Sequence, residues 1–106
     1  MNVPPIDITE QDWVIVRDIL HRHVPDYTVW AFGSRAKRTA RRFSDLDLAI
    51  ITDTPLPFDV GGALREDFSE SDLPFRVDIL DWATTGDAFR RRVEQDKVVI
   101  QAAHHP

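Results

Sequence analysis

The sequence predicts an α+β protein of mixed α/β type, in which helices cover a small mixed β-sheet mainly on one face. Segments with helical periodicity alternate along the chain with short segments rich in β-branched and aromatic residues, in the order α-β-α-β-α-β-α. The chain has 106 residues, which is long enough for one hydrophobic core and too short for two. We therefore expect residues 1–106 to form a single domain, with the other face of the sheet free to carry chemistry.

The composition is that of an ordinary soluble globular protein. Hydrophobic residues make up 42% of the chain and charged residues 29%, and the absence of cysteine excludes disulfides and thiolate metal sites. No apolar run approaches the roughly 20 residues that cross a bilayer. The N-terminus also lacks the positive and apolar regions of a signal peptide. We therefore expect a cytoplasmic protein that does not contact a membrane.

Positive charge is concentrated in one segment of an acidic chain. The net charge is −5, yet residues 35–42 contain five lysines and arginines. A protein that coats nucleic acid spreads basic residues over a surface, because its affinity grows with the number of phosphates that it neutralises. The charge pattern therefore favours one local anionic ligand or one acidic partner, and argues against nucleic acid.

The first helix is predicted from its start signal and its periodicity. Thr9 has the properties of an N-cap, with Asp12 three residues further on, and the helix is expected to run from Glu10 to about His23. Pro25 ends it, because proline disfavours the α conformation in the residue before it. The apolar residues of one helical face are Trp13, Val16, Leu20 and Val24.

The rest of the chain divides into short strands and helices. Ser34 is expected to cap the second helix and Asp59 the third. The segment 97–101 is either a short apolar tail or an edge strand, and residues 102–106 are expected to be frayed. The other predicted elements are, in chain order, a strand over 27–32, a helix over 34–40, a strand over 45–51, a helix over 60–70, a strand over 75–80 and a helix over 86–95.

Three aspartates on two predicted strands are candidates for metal binding. Asp45 and Asp47 are two residues apart on one strand, so their side chains leave the same face, roughly 6.6 Å apart along the strand. Carboxylate pairs suit Mg²⁺, which takes substrate phosphates as further ligands. Asp78 lies within an otherwise apolar strand, where a charged residue is uncommon and therefore indicates a specific role. It would allow two metal ions to flank a phosphoryl group, or accept the proton of an attacking hydroxyl.

Each of these signals alone has a structural interpretation. Aspartates that follow a serine at the start of a strand are often turn residues, and Asp78 alone is compatible with an exposed edge position. A glycine-serine step from strand to helix, as at Gly33 and Ser34, aims backbone N–H groups at an anion, although such turns are also common without a ligand. The combination of the step, ten intervening residues, the aspartate pair and a later strand acid favours a phosphate site.

These residues resemble the signature of DNA-polymerase-β-type nucleotidyltransferases, and the length is similar to that of the minimal nucleotidyltransferases, the MNT proteins. The sequence Gly33-Ser34-Arg35 resembles the family's phosphate turn, Asp45-Leu46-Asp47 its paired metal ligands, and Asp78 its third acid. The resemblance covers residues 29 to 80. One departure is the segment AKRTARR after the turn, where many members have a glycine.

The resemblance implies the nucleotidyltransferase fold and a transfer of AMP from ATP to a hydroxyl. Asp45 and Asp47 would hold two Mg²⁺ ions, with Asp78 as the third acid on the acceptor side. Gly33 and Ser34 would contact the β- and γ-phosphates. Arg35 is a further candidate for a phosphate contact. Asp81 is the rival of Asp78, but an odd spacing places it on the opposite face of the strand.

The resemblance also implies a partner. MNT proteins are typically paired with a helical HEPN RNase toxin, which the MNT partner neutralises as an antitoxin by adding AMP to a toxin tyrosine. The expected assembly is a hetero-oligomer with that toxin or a homodimer. Two alternatives stay open at this point: a catalytically idle module that neutralises its partner by occlusion, and a nucleotidyltransferase of the antibiotic-modifying kind.

Overall fold

A computed structural model describes residues 2–103 of the chain as a mixed four-stranded sheet with helices on both faces. The predicted alternation of helices and strands is confirmed, and the segment at 97–101 is an edge strand. Residues 104–106 of the end that was expected to be frayed lie outside the described part. The elements are α1 (Glu10–His23), β1 (Thr28–Phe32), α2 (Ser34–Lys37), β2 (Leu46–Ile51), α3 (Phe58–Ser69), β3 (Val77–Asp81), a 3₁₀ turn (Trp82–Thr84), α4 (Asp87–Asp96) and β4 (Val98–Gln101).

The sheet has the strand order β3-β2-β1-β4. β1 is antiparallel to both β2 and β4, whereas β2 and β3 are parallel. The parallel pair requires a crossover connection, and α3 provides it. The antiparallel pair of β1 and β2 is joined by α2 and the basic segment, so that this connection lies at the end of the sheet where β1 ends and β2 begins.

The hydrophobic core lies between one face of the sheet and the helices α1 and α3. Leu46, Leu48 and Ile50 of β2 point into it and are fully buried, as their alternation along the strand predicts. α1 contributes Val16 and Leu20. Burying an apolar side chain of this size contributes about 1.5–3 kcal/mol relative to leaving it exposed, so this face determines which way each strand is turned.

The helix α4 covers part of the opposite face. Its Phe89 ring packs edge-on against Phe32 of β1, with 6.0 Å between the ring centroids, and Val93 is buried. Further along β1, Trp30 packs edge-on against Trp82, with centroids 5.0 Å apart. Two of the three long helices thus lie on the core face, as expected, while α4 leaves the neighbouring ends of β2 and β3 uncovered.

Two helix starts differ from the sequence prediction. The N-cap of α2 is Gly33 instead of Ser34, and α2 ends at Lys37 because Arg38 adopts a left-handed conformation with φ of 65°. α3 begins at Phe58 with Pro57 as its N-cap, so the expected cap Asp59 lies inside the first turn, where its charge interacts favourably with the helix dipole. Within residues 2–103, no helix combines the length and the apolar character needed to cross a membrane.

Candidate active site

One row of side chains crosses the sheet at the end where β1 stops. Asp47 of β2 is in register with Phe32 of β1 on one side and with Asp78 of β3 on the other. Residues that are directly opposite each other on paired strands point to the same face. The two carboxylates therefore lie side by side on the face away from the core.

Gly33 follows Phe32 and forms the edge of the site. Its φ is 76°, which favours glycine over any other residue. A Cβ atom at this position would also collide with the Asp47 carboxylate. The turn therefore needs glycine for two independent reasons, and the result is a backbone that passes directly against the carboxylate.

A cavity of about 380 Å³ opens over this row. Of the six predicted site residues, Gly33, Asp47 and Asp78 line it, while Ser34, Arg35 and Asp45 lie outside its wall. Ser34 is half-buried at the start of α2, and Asp45 lies just before β2. The full lining consists of Phe32, Gly33, Lys37, Asp47, Asp78, Ile79, Leu80, Phe89, Arg92, Val93 and Asp96.

The carboxyl group of Asp47 has the most strongly perturbed acid–base equilibrium of the site. The pKa of Asp47 is raised from 3.8 to about 6, chiefly by burial and then by the negative charges of Asp78 and Asp45, while the charge of Arg76 opposes the rise. A carboxylate that is disfavoured in this way gains from a nearby positive charge. The site is therefore suited to a cation.

Arg76 supplies the positive charge that lies between the other two acids. Its Nη2 atom is 3.3 Å from Asp45 Oδ2 and 3.3 Å from Asp78 Oδ2, and its Nε atom is 3.3 Å from Asp78 Oδ1. These contacts raise the pKa of Arg76, chiefly through the charge of Asp78 and then that of Asp45. One guanidinium thus links the acid before β2 to the acid on β3.

Asp81, the rival of Asp78, faces the other way and is occupied by local structure. Its carboxylate accepts hydrogen bonds from the Thr52 hydroxyl and, at 2.8 Å, from the Leu56 backbone N–H. Thr52 in turn accepts a hydrogen bond from the backbone N–H of Ala83. Asp81 therefore holds the loop after β2 against the end of β3, which agrees with the preference for Asp78 as the site acid.

The prediction that Arg35 contacts a phosphate is not supported by its placement. The side chain is buried and donates to three backbone carbonyls, those of Asp7 at 2.7 Å, Ser44 at 2.9 Å and Arg42 at 3.1 Å. Its guanidinium carbon also lies 4.0 Å from the centroid of the Phe75 ring. Arg35 therefore fastens the basic segment to the N-terminal segment, and its donors point away from the cavity.

The remaining cations of the basic segment fall into two groups. Arg38 pairs with Asp7 at 3.0 Å, and the other oxygen of that carboxylate accepts a hydrogen bond from the Ala40 backbone. Lys37 lines the cavity and lies 3.6 Å from Asp96 of α4. Lys37 is thus the residue of the basic segment that lines the cavity, whereas Arg38 holds the loop against Asp7.

Sequence reasoning missed the contribution of α4 to the site. Arg92 and Phe89 line the cavity although they lie more than ten residues after the last predicted site residue. The helical spacing of Phe89 and Val93 indicated a packing face, but no sequence signal indicated which face of the sheet α4 covers. That information depends on the direction of the chain after β3.

The acids offer only oxygen ligands, the type that Mg²⁺ prefers. Within residues 2–103, no group of three or more His, Cys, Asp or Glu side chains is arranged to hold a metal ion. Mg²⁺ needs only one or two carboxylates when substrate phosphates complete its shell. The in-register pair Asp47 and Asp78, beside a glycine that leaves room at its edge, satisfies that smaller requirement.

A second groove, of about 620 Å³, runs along the outer edge of β3. Asp78 and Ile79 border both this groove and the cavity, and Arg65 and Arg76 line the groove. Asp78 is therefore reachable from two sides. A ligand in the cavity and a second molecule in the groove would meet at its carboxylate.

Comparison with known proteins gives a family match over most of the chain. The family described as polymerase beta, nucleotidyltransferase, matches residues 16–105. The chain is 57% identical over 96 residues to a probable protein adenylyltransferase MntA of Haemophilus influenzae, a match that covers 91% of this chain and 84% of that protein. The family assignment made from the turn and the acids is confirmed.

Solved structures confirm the nucleotidyltransferase fold. A toxin–antitoxin crystal structure with AMP-PNP superposes with a TM-score of 0.72 at 20% identity, covering 88% of this chain and 75% of that one. A complex of tri-AMPylated Shewanella oneidensis HEPN toxin with MNT antitoxin gives a TM-score of 0.67 at 16% identity, covering 91% of this chain and 74% of that one.

Proposed function

Because the chain belongs to the polymerase beta nucleotidyltransferase family, we propose that it is an antitoxin that transfers AMP from ATP to a hydroxyl of a cognate HEPN-type toxin. The observation that carries the proposal is the in-register pair of Asp47 and Asp78 beside the Gly33 turn. The proposal treats residues 1–106 as one domain and places the reaction in the cytoplasm, where ATP is available.

The cavity is suited to a nucleoside triphosphate. Phe32 and Phe89 supply apolar surface, while Lys37 and Arg92 supply positive charge that can offset phosphate oxygens. Gly33 and Ser34 would contact the β- and γ-phosphates through the turn before α2. Arg35 would stabilise this turn indirectly, by holding the segment that follows it through hydrogen bonds to backbone carbonyls.

Asp45, Asp47 and Asp78 are the residues that would hold divalent metal. Two bound Mg²⁺ ions would supply charge stabilisation to the phosphates and orient the reacting oxygens. The raised pKa of Asp47, at about 6, reflects burial and two neighbouring carboxylates, so cation binding would favour its ionised form.

Asp78 borders the groove along β3 as well as the cavity, and we assign it the acceptor side. The acceptor oxygen forms a bond to the α-phosphorus of ATP, and the bond from the α-phosphorus to the bridging oxygen breaks. Pyrophosphate leaves with that electron pair, and the hydroxyl proton passes to the Asp78 carboxylate.

We assign the acceptor hydroxyl to a tyrosine of the HEPN-type toxin, and two relatives support a protein acceptor. The Haemophilus relative is a probable protein adenylyltransferase, and a structural relative is complexed with an AMPylated HEPN toxin. The partner itself would bring its hydroxyl to the groove along β3.

The test is transfer of label from ATP carrying a labelled α-phosphate to a co-purified toxin, with Mg²⁺ present. Asp45→Asn and Asp47→Asn are expected to lower the rate by about a hundredfold or more, because metal-assisted transfer depends on several kcal/mol of transition-state stabilisation. Asp53→Asn, at an exposed aspartate of the loop after β2, is the matched control and should label as well as the wild type.

The same variants separate the alternatives. If the wild type leaves no label on its partner, or the two variants label normally, adenylyl transfer is not the function. If the variant lacking all three acids still suppresses toxicity in full, the chain neutralises its partner by occlusion. Transfer to an aminoglycoside by the purified chain alone would indicate a small-molecule enzyme.

A further inference from the structure

Arg76 is in an unusual position for an arginine beside a phosphate-transfer site. It does not line the cavity that is suited to the nucleotide, but lies in the groove along β3, with its side chain 73% exposed. Its guanidinium spans two acids that are distant in the sequence, Asp45 just before β2 and Asp78 on β3. Both acids belong to the set that would hold metal under the proposed function.

The cluster would carry three negative charges in a small space without Arg76. Asp47 and Asp78 are side by side in register, and Asp45, just before β2, contacts the same guanidinium as Asp78. Like charges at such spacing repel. A cation between the acids offsets the repulsion, and in the free chain that cation is the guanidinium of Arg76.

The Arg76 contacts have the properties of a replaceable interaction. All three are 3.3 Å long, and each partner carboxylate is itself about half exposed, at 42% for Asp45 and 48% for Asp78. Exposed ion pairs of this kind are weak and screened by salt. Arg35 shows the contrasting case, because its donors are buried and saturated by backbone carbonyls.

We propose that Arg76 is an internal substitute for the metal, which holds Asp45 and Asp78 in the free chain and is displaced when divalent cations bind. It is a positioning residue that acts through the two acids. Its contacts and those of a metal ion compete for the same carboxylate oxygens. Metal binding is therefore linked to release of the guanidinium from the two carboxylates, within the groove where the acceptor is proposed to lie.

This inference rests on the proposed function, because it takes the acids as the metal ligands. It makes a prediction that is opposite to that of a purely structural role. If Arg76 only kept the acids in place for the metal, its removal would weaken metal binding. If it competes with the metal, its removal strengthens binding.

The test is direct titration of the purified full-length chain with Mn²⁺, followed by isothermal calorimetry or electron paramagnetic resonance. Arg76→Gln is expected to bind Mn²⁺ about three- to tenfold more tightly than the wild type, a range set by the weakness of exposed ion pairs. Arg65→Gln is the matched control, because it removes the same charge from the same groove. In the wild type, Arg65 donates to the Ile79 carbonyl, at 3.4 Å, and not to a carboxylate. This variant should stay within about twofold of the wild type, as expected for a screened exposed charge.

Two further measurements sharpen the test. Arg76→Lys keeps the charge but loses the fork that spans two carboxylates, so its Mn²⁺ affinity should fall between those of the wild type and Arg76→Gln. High salt should narrow the difference between wild type and Arg76→Gln, because it screens the ion pairs that compete with the metal. Lower thermal stability of metal-free Arg76→Gln, restored by Mn²⁺, is also expected.

Unchanged or weaker Mn²⁺ binding by Arg76→Gln would overturn the inference. If the wild type still binds Mn²⁺ and Asp47→Asn abolishes that binding, the metal site of the proposed function stands and only the role of Arg76 fails. If neither the wild type nor Arg76→Gln binds Mn²⁺, even with a non-hydrolysable ATP analogue present, the metal site of the proposed function and the inference fail together.

Discussion

Two regions of the molecule use the same kinds of charged side chain in opposite ways. Beside the core, Arg35 and Asp81 have their donors and acceptors satisfied by backbone groups and one hydroxyl, and they hold loops in place. On the opposite face, Asp47 and Asp78 lie beside each other, and the cation of Arg76 is held only by weak exposed contacts. Residue type alone therefore does not identify a functional charge; its partners do.

The largest effect in the cavity region is expected for Gly33→Ala. Alanine at a φ of 76° is strained and its Cβ would displace the Asp47 carboxylate, so we expect a loss of about 3–5 kcal/mol in the free energy of unfolding. Chemical denaturation measures it. Gly62→Ala is the control, because a Cβ there meets nothing within 4 Å and should stabilise α3 by up to about 1 kcal/mol. Equal stability of the two variants would show that the turn is not constrained.

Arg35→Lys tests the region beside the core. Lysine cannot reproduce a fork that donates to three carbonyls, so we expect a loss of about 2–4 kcal/mol. Arg38→Lys, at an exposed residue paired with Asp7, should change the free energy of unfolding by less than about 1 kcal/mol. If Arg35→Lys is as stable as the wild type but loses nucleotide affinity, Arg35 belongs to the cavity region instead.

Asp81→Ala and Asp78→Ala compare the two faces of one strand. Asp81→Ala removes the acceptor for Thr52 and Leu56 and should cost about 2 kcal/mol while adenylyl transfer per folded molecule is kept. Asp78→Ala should have the reverse effect, with transfer lost and the melting temperature nearly unchanged. Thermal unfolding and adenylyl transfer are measured for both variants. An Asp81→Ala variant that is as stable as the wild type but inactive would contradict the assignment of Asp78, and not Asp81, to the active-site face.

The smallest effect is expected for Asp47→Asn in metal-free buffer, where it should raise stability. The pKa of Asp47 is about 6 in the folded chain against 3.8 ordinarily, so its stabilising contribution is complete below pH 4 and is lost as the pH rises through 6. The variant should therefore match the wild type at pH 4 and exceed it by about 1 kcal/mol at pH 7, after allowance for solvent screening. A constant difference across this range, measured by urea unfolding in EDTA, would argue against the raised pKa.

The sequence by itself predicted the family, the elements and the face on which the acids lie. These are local properties, because the period of two along a strand turns Asp47 away from the buried leucines, and helix periodicity marks α1. The spacing from the Gly33 turn to the acids could be read without any knowledge of the fold.

Only the tertiary structure decided the partners of the charges. The register of β2 with β3 placed Asp78 beside Asp47, the path of the N-terminal segment buried Arg35, and the position of α4 brought Arg92 to the cavity. These contacts join residues distant in sequence, and their free energy depends on burial and geometry that no local pattern records. For the same reason, the role of Arg76 followed only from the two carboxylates that its guanidinium joins.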